Sequence, residues 1–358
     1  MRHIKLPLRI LAIVLAVVLL AAAAYVVYVF IDYHRIEDHQ ELAVVRGADP
    51  DALVRPGVTY TAMTYNLGFG AYAPDYDFFM DGGSQSWAAS PESVRTLISG
   101  AGDLIAGRSP DFVCLQEVDL NSTRSYHIDQ KAMLDGVLSG YDTVTAVNYD
   151  SPFLFFPFTQ PHGKSLSSLG LYTRFPASDA LRRSLPIATD FSKLLDLDRA
   201  YMKLRVPMSD GRSLVLYTIH MTAYSSDSSI RDAQLRMLTQ DMLEEYGSGS
   251  AVICGGDYNM EMLLTESGEN TAEWALPLDR SLLSGLINVW DAVTPEHAAA
   301  QQPSCRDAGV PYAPGQTASW MLDSFLVSPN IVVEDVVCLA TGYSWSDHDP
   351  VLLTFHIQ

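Results

Sequence analysis

The hydrophobic pattern opens with an uninterrupted apolar run from Ile10 to Ile31. At roughly 22 residues, the run is long enough for one helix to cross a hydrocarbon core of about 30 Å. It exceeds the roughly 7–15 apolar residues of a cleavable signal, so an uncleaved anchor is the expectation. A cut near the small residues Ala21–Ala24 is the rival. The run also lacks the polar face that a core helix would carry. Arg2, Lys5 and Arg9 precede it and Asp32, Glu37 and Asp38 follow it. Basic residues stay on the cytoplasmic side of a span. Residues 1–9 are therefore read as a cytoplasmic flank, 10–31 as a single-pass transmembrane helix, and the remainder as extracytoplasmic at the cell membrane.

Residues 32–57 are charged, weakly periodic and broken by Pro50, Pro56 and Gly57, which reads as a tether. From Val58 to the C-terminus no further linker or repeat interrupts the pattern, so residues 58–358 are read as one domain. Short β-rich runs alternate there with helical stretches. Strands are predicted over Thr59–Tyr65, Asp111–Gln116, Leu204–Pro207, Ser213–Ile219, Ala251–Cys254, Ser324–Val327, Ile331–Cys338 and Val351–Ile357. Asp210-Gly211 marks a hairpin turn, Ser90-Pro91 caps a helix start, and Ile230, Leu235, Leu238 and Leu243 mark one face of another helix. Mixed sheets covered by helices, an α/β fold, follow from this alternation.

Charge narrows the partners. Without Arg2, Lys5 and Arg9 the outer portion keeps 20 of the 23 basic residues against all 42 acidic ones, a net charge of −22. Such a field repels polyanions, so nucleic acid is a disfavoured substrate, and smaller phosphoesters suffer less. No protein partner is indicated. Of the four cysteines, Cys114 and Cys254 read as buried thiols, while Cys305 and Cys338 could pair in an oxidising compartment.

Several polar residues share one placement, at the ends of apolar strands. Asn66 closes Thr-Ala-Met-Thr-Tyr-Asn, Glu117 closes Phe-Val-Cys-Leu-Gln-Glu, His220 closes Leu-Val-Leu-Tyr-Thr-Ile-His, and Asp257 and Asn259 follow Ala-Val-Ile-Cys-Gly-Gly. Taken singly, each has an ordinary explanation as a turn or surface residue. Strand ends converge on one edge of a sheet, however, and can build a site from distant positions. Gly255-Gly256 reads as room for the backbone at a tight turn of that site.

The order of the set is more specific than any member. Asn66, Gln116-Glu117, His220, Asp257-x-Asn259, Asp323 in Leu-Asp-Ser-Phe-Leu-Val-Ser, and Ser346-Asp347-His348-x-Pro350 together resemble the motifs of the endonuclease/exonuclease/phosphatase superfamily over about residues 58–358. The resemblance suggests a membrane-anchored, bacterial-type member. It implies a DNase I-like four-layer α/β sandwich, two mixed sheets flanked by helices, with Gly170-Leu-Tyr-Thr-Arg174 as a central strand and Gln234 in the helix after His220. It also implies hydrolysis of a phosphoester by direct attack of water, with Mg²⁺ or Mn²⁺.

Carboxylate and amide oxygens are hard ligands suited to those ions. Glu117, Asn66 and Asp347 are the implied metal ligands. Asp257, Asn259, His220 and the His348–Asp323 pair are the implied catalytic groups, and either Asp257 or the pair could be the general base. Arg124 and Arg199 are candidate phosphate contacts, with surface ion pairs as the ordinary alternative. Met321-Leu322 before Asp323 and Met221-Thr222 after His220 depart from many relatives, so no particular relative's substrate transfers. Two aromatic loops, Gly68–Trp87 and Tyr149–Ser165, either touch an apolar tail, a base or the membrane surface, or fill a satellite core. The leading expectation is a phosphodiesterase or phosphatase acting on a small or lipid-linked phosphoester at the outer membrane face. The alternatives are an extracellular endonuclease and a catalytically silent surface domain that only binds.

Overall fold

A computed structural model describes residues 5–188, 197–223, 228–263 and 275–358; Arg2 of the basic flank lies outside them. The apolar runs form two mixed sheets. One has six strands in the order Ile331–Cys338, Val351–Ile357, Thr59–Asn66, Phe112–Asp119, Leu166–Thr173 and Asp142–Asp150. The other has seven, in the order Gln40–Glu41, Ala180–Ser184, Ala200–Pro207, Ser213–His220, Ala251–Asp257, Asp323–Val327 and Ile287–Asn288.

Each sheet contains one parallel pair: Thr59–Asn66 beside Phe112–Asp119, and Ser213–His220 beside Ala251–Asp257. Parallel neighbours need a crossover, and each pair is joined through a helix, Pro91–Arg108 in the first case and Ser229–Gly247 in the second. The Ser90 hydroxyl accepts from Ser93 N at 3.0 Å and Pro91 opens the helix, as the sequence signals.

Alternation along the strands sets the layers. Ala62, Phe112, Cys114 and Leu171 face inward and join Leu216, Ile253 and Phe325 in the central core. Met63, Tyr65, Val113 and Leu115 face outward and bury Val94, Ile98 and Ile105 of the helix Pro91–Arg108. Helix, sheet, sheet and helix stack in the expected four layers. The strands run further than the sequence pattern alone marks, to Asn66, Asp119, His220 and Asp257, because ladder pairing carries the polar residues to the strand tips.

Three expectations change. Residues 32–57 are not a free tether: Gln40–Glu41 adds an edge strand to Ala180–Ser184, Val54 is fully buried, and Asp142 accepts from Gly47 N and Ala48 N at 2.9 and 3.0 Å. Composition registers the prolines there but not the partners. Cys305 and Cys338 are both free, buried thiols, packed in different apolar clusters. Gly255 and Gly256 lie within a strand, not a turn; a Cβ on Gly256 would meet Ile219 O at 2.3 Å, so the glycine serves close backbone approach.

The helix Lys5–Asp32 meets the domain near its C-terminal end, through Tyr25 and Tyr28, and is exposed over residues 7–24. Its stretch Pro7–Asp32 is long and apolar enough to cross a membrane, with mean hydropathy 3.0 over 18 of its residues.

Candidate active site

Register brings the motif residues together. Asn66 lies opposite Gln116, His220 opposite Asp257, and Asp257 opposite Asp323. The parallel pairs end at this edge, whereas the antiparallel strands Asp323–Val327 and Val351–Ile357 begin there, which places Asp323 and the Asp347-His348 turn beside those ends. The two sheets are tied at the same level by Gln116 Nε2, which donates to Thr218 Oγ1 at 2.9 Å.

Glu117 is aimed by local irregularity. The ladder slips between Leu115 and Val118, and Glu117 takes φ 54°, a left-handed conformation that non-glycine residues rarely adopt. A bulge at this point turns the carboxylate out of the sheet into the cavity. Asn259, two residues past its strand, also has positive φ, 50°, with its N–H donating to Asp257 Oδ1 at 2.9 Å.

At the centre Asp257 Oδ2 gathers three neighbours. Asn66 Nδ2 donates to it at 3.0 Å, and His220 Nε2 and His348 Nε2 lie at 3.6 and 3.7 Å. Asn66 Nδ2 also reaches Glu117 Oε1 at 3.2 Å, while its Oδ1 accepts from Gly68 N at 3.0 Å. His348 Nδ1 donates to Asp323 Oδ2 at 2.7 Å, and both residues are buried. Ser346 Oγ donates to Asn66 O at 2.8 Å and accepts from His348 N at 3.2 Å, which fastens the Ser-Asp-His turn to the first strand.

Charge states follow from burial and neighbours. Burial pushes the Asp257 carboxyl up to about 7, with His348 opposing and Asp323 adding. Burial alone would lower the His348 pKa, yet the Asp323 carboxylate, then Cys305 and Asp257, hold it well above the ordinary imidazole value. His220 goes the other way: burial, then Arg199, His348 and Arg124, drive it well below. Burial also raises Glu117, opposed by Arg124 and reinforced by Asp347. The two histidines therefore divide into a charged and a neutral imidazole, separated by environment.

All ten predicted site residues meet in one place: eight line a cavity of about 1380 Å³, and Asn66 and Asp323 are hydrogen-bonded to residues of its wall. Arg124 reaches the cavity but is held by a bidentate pair to Asp119, at 3.1 and 2.9 Å, with its guanidinium 3.8 Å from the Phe69 ring centre. Arg199 Nη1 donates to Met221 O at 2.7 Å, a carbonyl that Asn259 Nδ2 also reaches at 2.9 Å.

Over residues 63–348 the sequence matches the Endonuclease/Exonuclease/phosphatase family. The chain belongs to that family. Its members are generally phosphoester hydrolases.

Solved structures of the same fold agree. An endonuclease/exonuclease/phosphatase from Beutenbergia cavernae superposes with TM-score 0.61 at 18% identity, covering 84% of this chain and 72% of that one. D. rerio TDP2 complexed with single strand DNA product gives 0.53 at 18%, covering 84% and 99%. The human Nocturnin catalytic domain with bound sulfate anion gives 0.53 at 16%, covering 88% and 98%. No curated protein sequence matches the chain.

Enzymes of the family typically use divalent metals, and the donor set suits one. Glu117, Asp257 and Asp347 line one cavity, with Glu117 side-chain exposure of 23% toward it. Three carboxylates gathered so closely repel one another, and a small hard cation relieves that repulsion. A second grouping, Cys305, Asp347 and His348, has ligand atoms within 4.8 Å of one another. It suits Mg²⁺ or Mn²⁺ less well, because a thiol and an imidazole are softer donors than the carboxylates of the first grouping.

The sequence reading missed the residues that hold these in place. Arg231, fully buried, donates to Asn259 O at 2.7 Å. Asp349, the unspecified position of the Ser-Asp-His-x-Pro motif, accepts from Gln302 Nε2 at 2.8 Å, from Thr341 N at 3.1 Å and from the Thr341 hydroxyl. Ser304 Oγ accepts from Asp323 N at 3.0 Å. A basic residue on the face of the helix that also carries Leu235 and Leu238 was the available signal for Arg231; nothing local marks Ser304.

Proposed function

We propose that the protein is a Mg²⁺- or Mn²⁺-dependent phosphoesterase, anchored by the Pro7–Asp32 helix with its domain on the outer membrane face, which hydrolyses a phosphodiester or phosphomonoester by direct attack of water. The observation that carries the reading is the buried Asp323–His348 pair facing Asp257 at 3.7 Å across a cavity shared with Glu117. A surface domain that only binds has no need of that pair.

Glu117 and Asp347 would hold the metal, with Asn66 beside them. The ion, when bound, would neutralise phosphoryl oxygens and lower the pKa of water. Asp257, with a pKa near the operating range, is suited to accept a proton from the attacking water. Asn66 and Asn259 N orient its two oxygens. His348, kept cationic by Asp323, would donate through Nε2 to a phosphoryl oxygen as negative charge develops. His220, neutral, can donate through one nitrogen only; the carboxylates beside Nε2 favour the proton there. Arg124 and Arg199 would add positive field from behind, their hydrogen bonds already holding them in place. The net charge of −22 beyond the helix favours a small or lipid-linked phosphoester over a nucleic acid.

The test is turnover of a panel of phosphomonoesters, phosphodiesters and DNA by the purified protein with Mg²⁺ or Mn²⁺. His348→Ala and Asp323→Asn should each lower kcat on the order of 10²–10⁴-fold, and chelation should abolish turnover. Wild-type rates in both variants would overturn the site assignment. DNA cleaved faster than every small ester would favour the nuclease.

A further inference from the structure

The cavity has two ends of different chemistry. One is walled by Glu117, Asp257 and His348; the other by Tyr25 of the apolar helix and by Phe155, Phe156 and Phe158. We infer that this cleft opens onto the bilayer along the junction of the helix and the Phe153–Phe158 loop, and that the substrate is a phosphoester whose long apolar tail is presented from the membrane. The inference rests on the phosphoesterase reading above and specifies its substrate class.

Geometry fixes the depth of the loop. The stretch Pro7–Asp32 has 26 residues, about 39 Å of helix at 1.5 Å per residue, against a hydrocarbon core of about 30 Å. Counted from Ile10, where the apolar run begins, about 20 residues fill that core, which brings Tyr28 to its outer boundary, where tyrosines concentrate. The loop is fastened to this end of the helix. Tyr25 Oη donates to Phe153 O, and Phe153 N donates to Tyr28 Oη, both at 3.0 Å; the Tyr25 and Phe155 rings meet edge-on at 4.8 Å. Lys164 Nζ, where the loop returns, lies 3.6 Å from Asp32 Oδ2. A helix placed across the membrane thus carries the loop to the headgroup level.

The loop's surface suits that level. Phe155, Phe156 and Phe158 are 48%, 60% and 84% exposed, and Met80 of the neighbouring loop is 58% exposed. Other rings of these loops, Phe69, Tyr72 and Phe78, are buried, so the exposed ones are not surplus core. Contiguous apolar surface of this kind marks an interaction site. Here it adjoins the exposed apolar face of the helix, which lipid would surround in a helix placed across the membrane. A tail that leaves the leaflet at Phe158 can follow Phe156 and Phe79, whose rings lie 5.8 Å apart, toward Phe69 and Arg124 at the mouth of the polar end. The phosphate then meets Glu117, Asp257 and His348 without the tail entering water.

The experiment uses the full chain in phosphatidylcholine vesicles with Mg²⁺ or Mn²⁺ and two esters of one headgroup, a short-chain soluble one and a long-chain one embedded in the vesicles. The long-chain ester should turn over at least tenfold faster, and Phe156→Asp with Phe158→Asp should lower the long-to-short ratio at least tenfold. Separately, Phe158→Cys carrying an environment-sensitive fluorophore should be quenched by shallow spin-labelled lipid; the native cysteines are buried and would not compete for the label. Absence of quenching, or an unchanged ratio in the double variant, overturns the inference. Turnover of neither ester with quenching intact overturns the phosphoesterase reading, and with it the substrate class, while leaving the loop at the membrane.

Discussion

At the scale of single residues, the site works by placing like groups in unlike surroundings. His220 and His348 are both buried, yet only His348 has a carboxylate on its far nitrogen, and that bond decides which imidazole carries charge. Asp257 and Asp323 divide in the same way, one facing the cavity and one facing a histidine. Positioning residues should be separable from these by kinetics. Arg231 touches no reacting group but holds the Asn259 carbonyl from the helix Ser229–Gly247. Arg231→Met is expected to lower kcat about 10–100-fold with KM changed less than threefold, as loss of orientation does; equal losses in thermal stability and activity would instead mean that it only supports the fold. Glu117→Gln should raise the Mg²⁺ or Mn²⁺ concentration for half-maximal activity by at least tenfold, read in a metal titration, because one hard charged ligand is lost.

At the scale of elements, close approach and edge pairing set the tolerances. Gly256 sits where the strands Ser213–His220 and Ala251–Asp257 meet so tightly that a Cβ would fall 2.3 Å from Ile219 O. Gly256→Ala should destabilise by about 1–3 kcal/mol and displace Asp257, lowering kcat as well; a melting curve and an assay on the same sample check both. The strap over residues 32–57 depends on Asp142. Burial would raise that carboxyl, but N–H donors from Ala177, Gly47 and Ala48, with Arg46, override burial and leave it lowered. A lowered folded pKa means that the stabilisation is complete above the unfolded value, about 3.9, and is lost as pH falls through the folded value. Asp142→Ala should cost about 1–3 kcal/mol at neutral pH, and the difference from wild type should shrink in acid. A constant difference down to the acid limit would show that Asp142 is not what ties the strap.

At the scale of the whole molecule, one edge of the sandwich gathers the candidate site residues and also meets the apolar helix. That coincidence follows from topology. Both parallel pairs end at this edge, and the connection from Asp142–Asp150 to Leu166–Thr173, which holds the aromatic loop, leaves from it too. Helix, loop and cavity therefore form one surface, and the strap along Ala180–Ser184 fixes the helix to the domain. Removing the helix should cost activity on a membrane-embedded ester far more than on a soluble one.

Several features were legible in the chain itself. The apolar run, the strands over Ile331–Cys338 and Val351–Ile357, the Ser90 cap and the ordered polar residues all depend on local periodicity or on spacing along the chain, which the sequence carries directly. Tertiary structure decided what needs a partner from far away. The bulge that turns Glu117, the unbridged Cys305 and Cys338, the pinning of residues 32–57, and the roles of Arg231 and Asp349 all arise from contacts between segments distant in sequence. So does the split among the aromatic residues, since burial of Phe78 and exposure of Phe158 depend on which layer reaches each ring, and no local pattern encodes that.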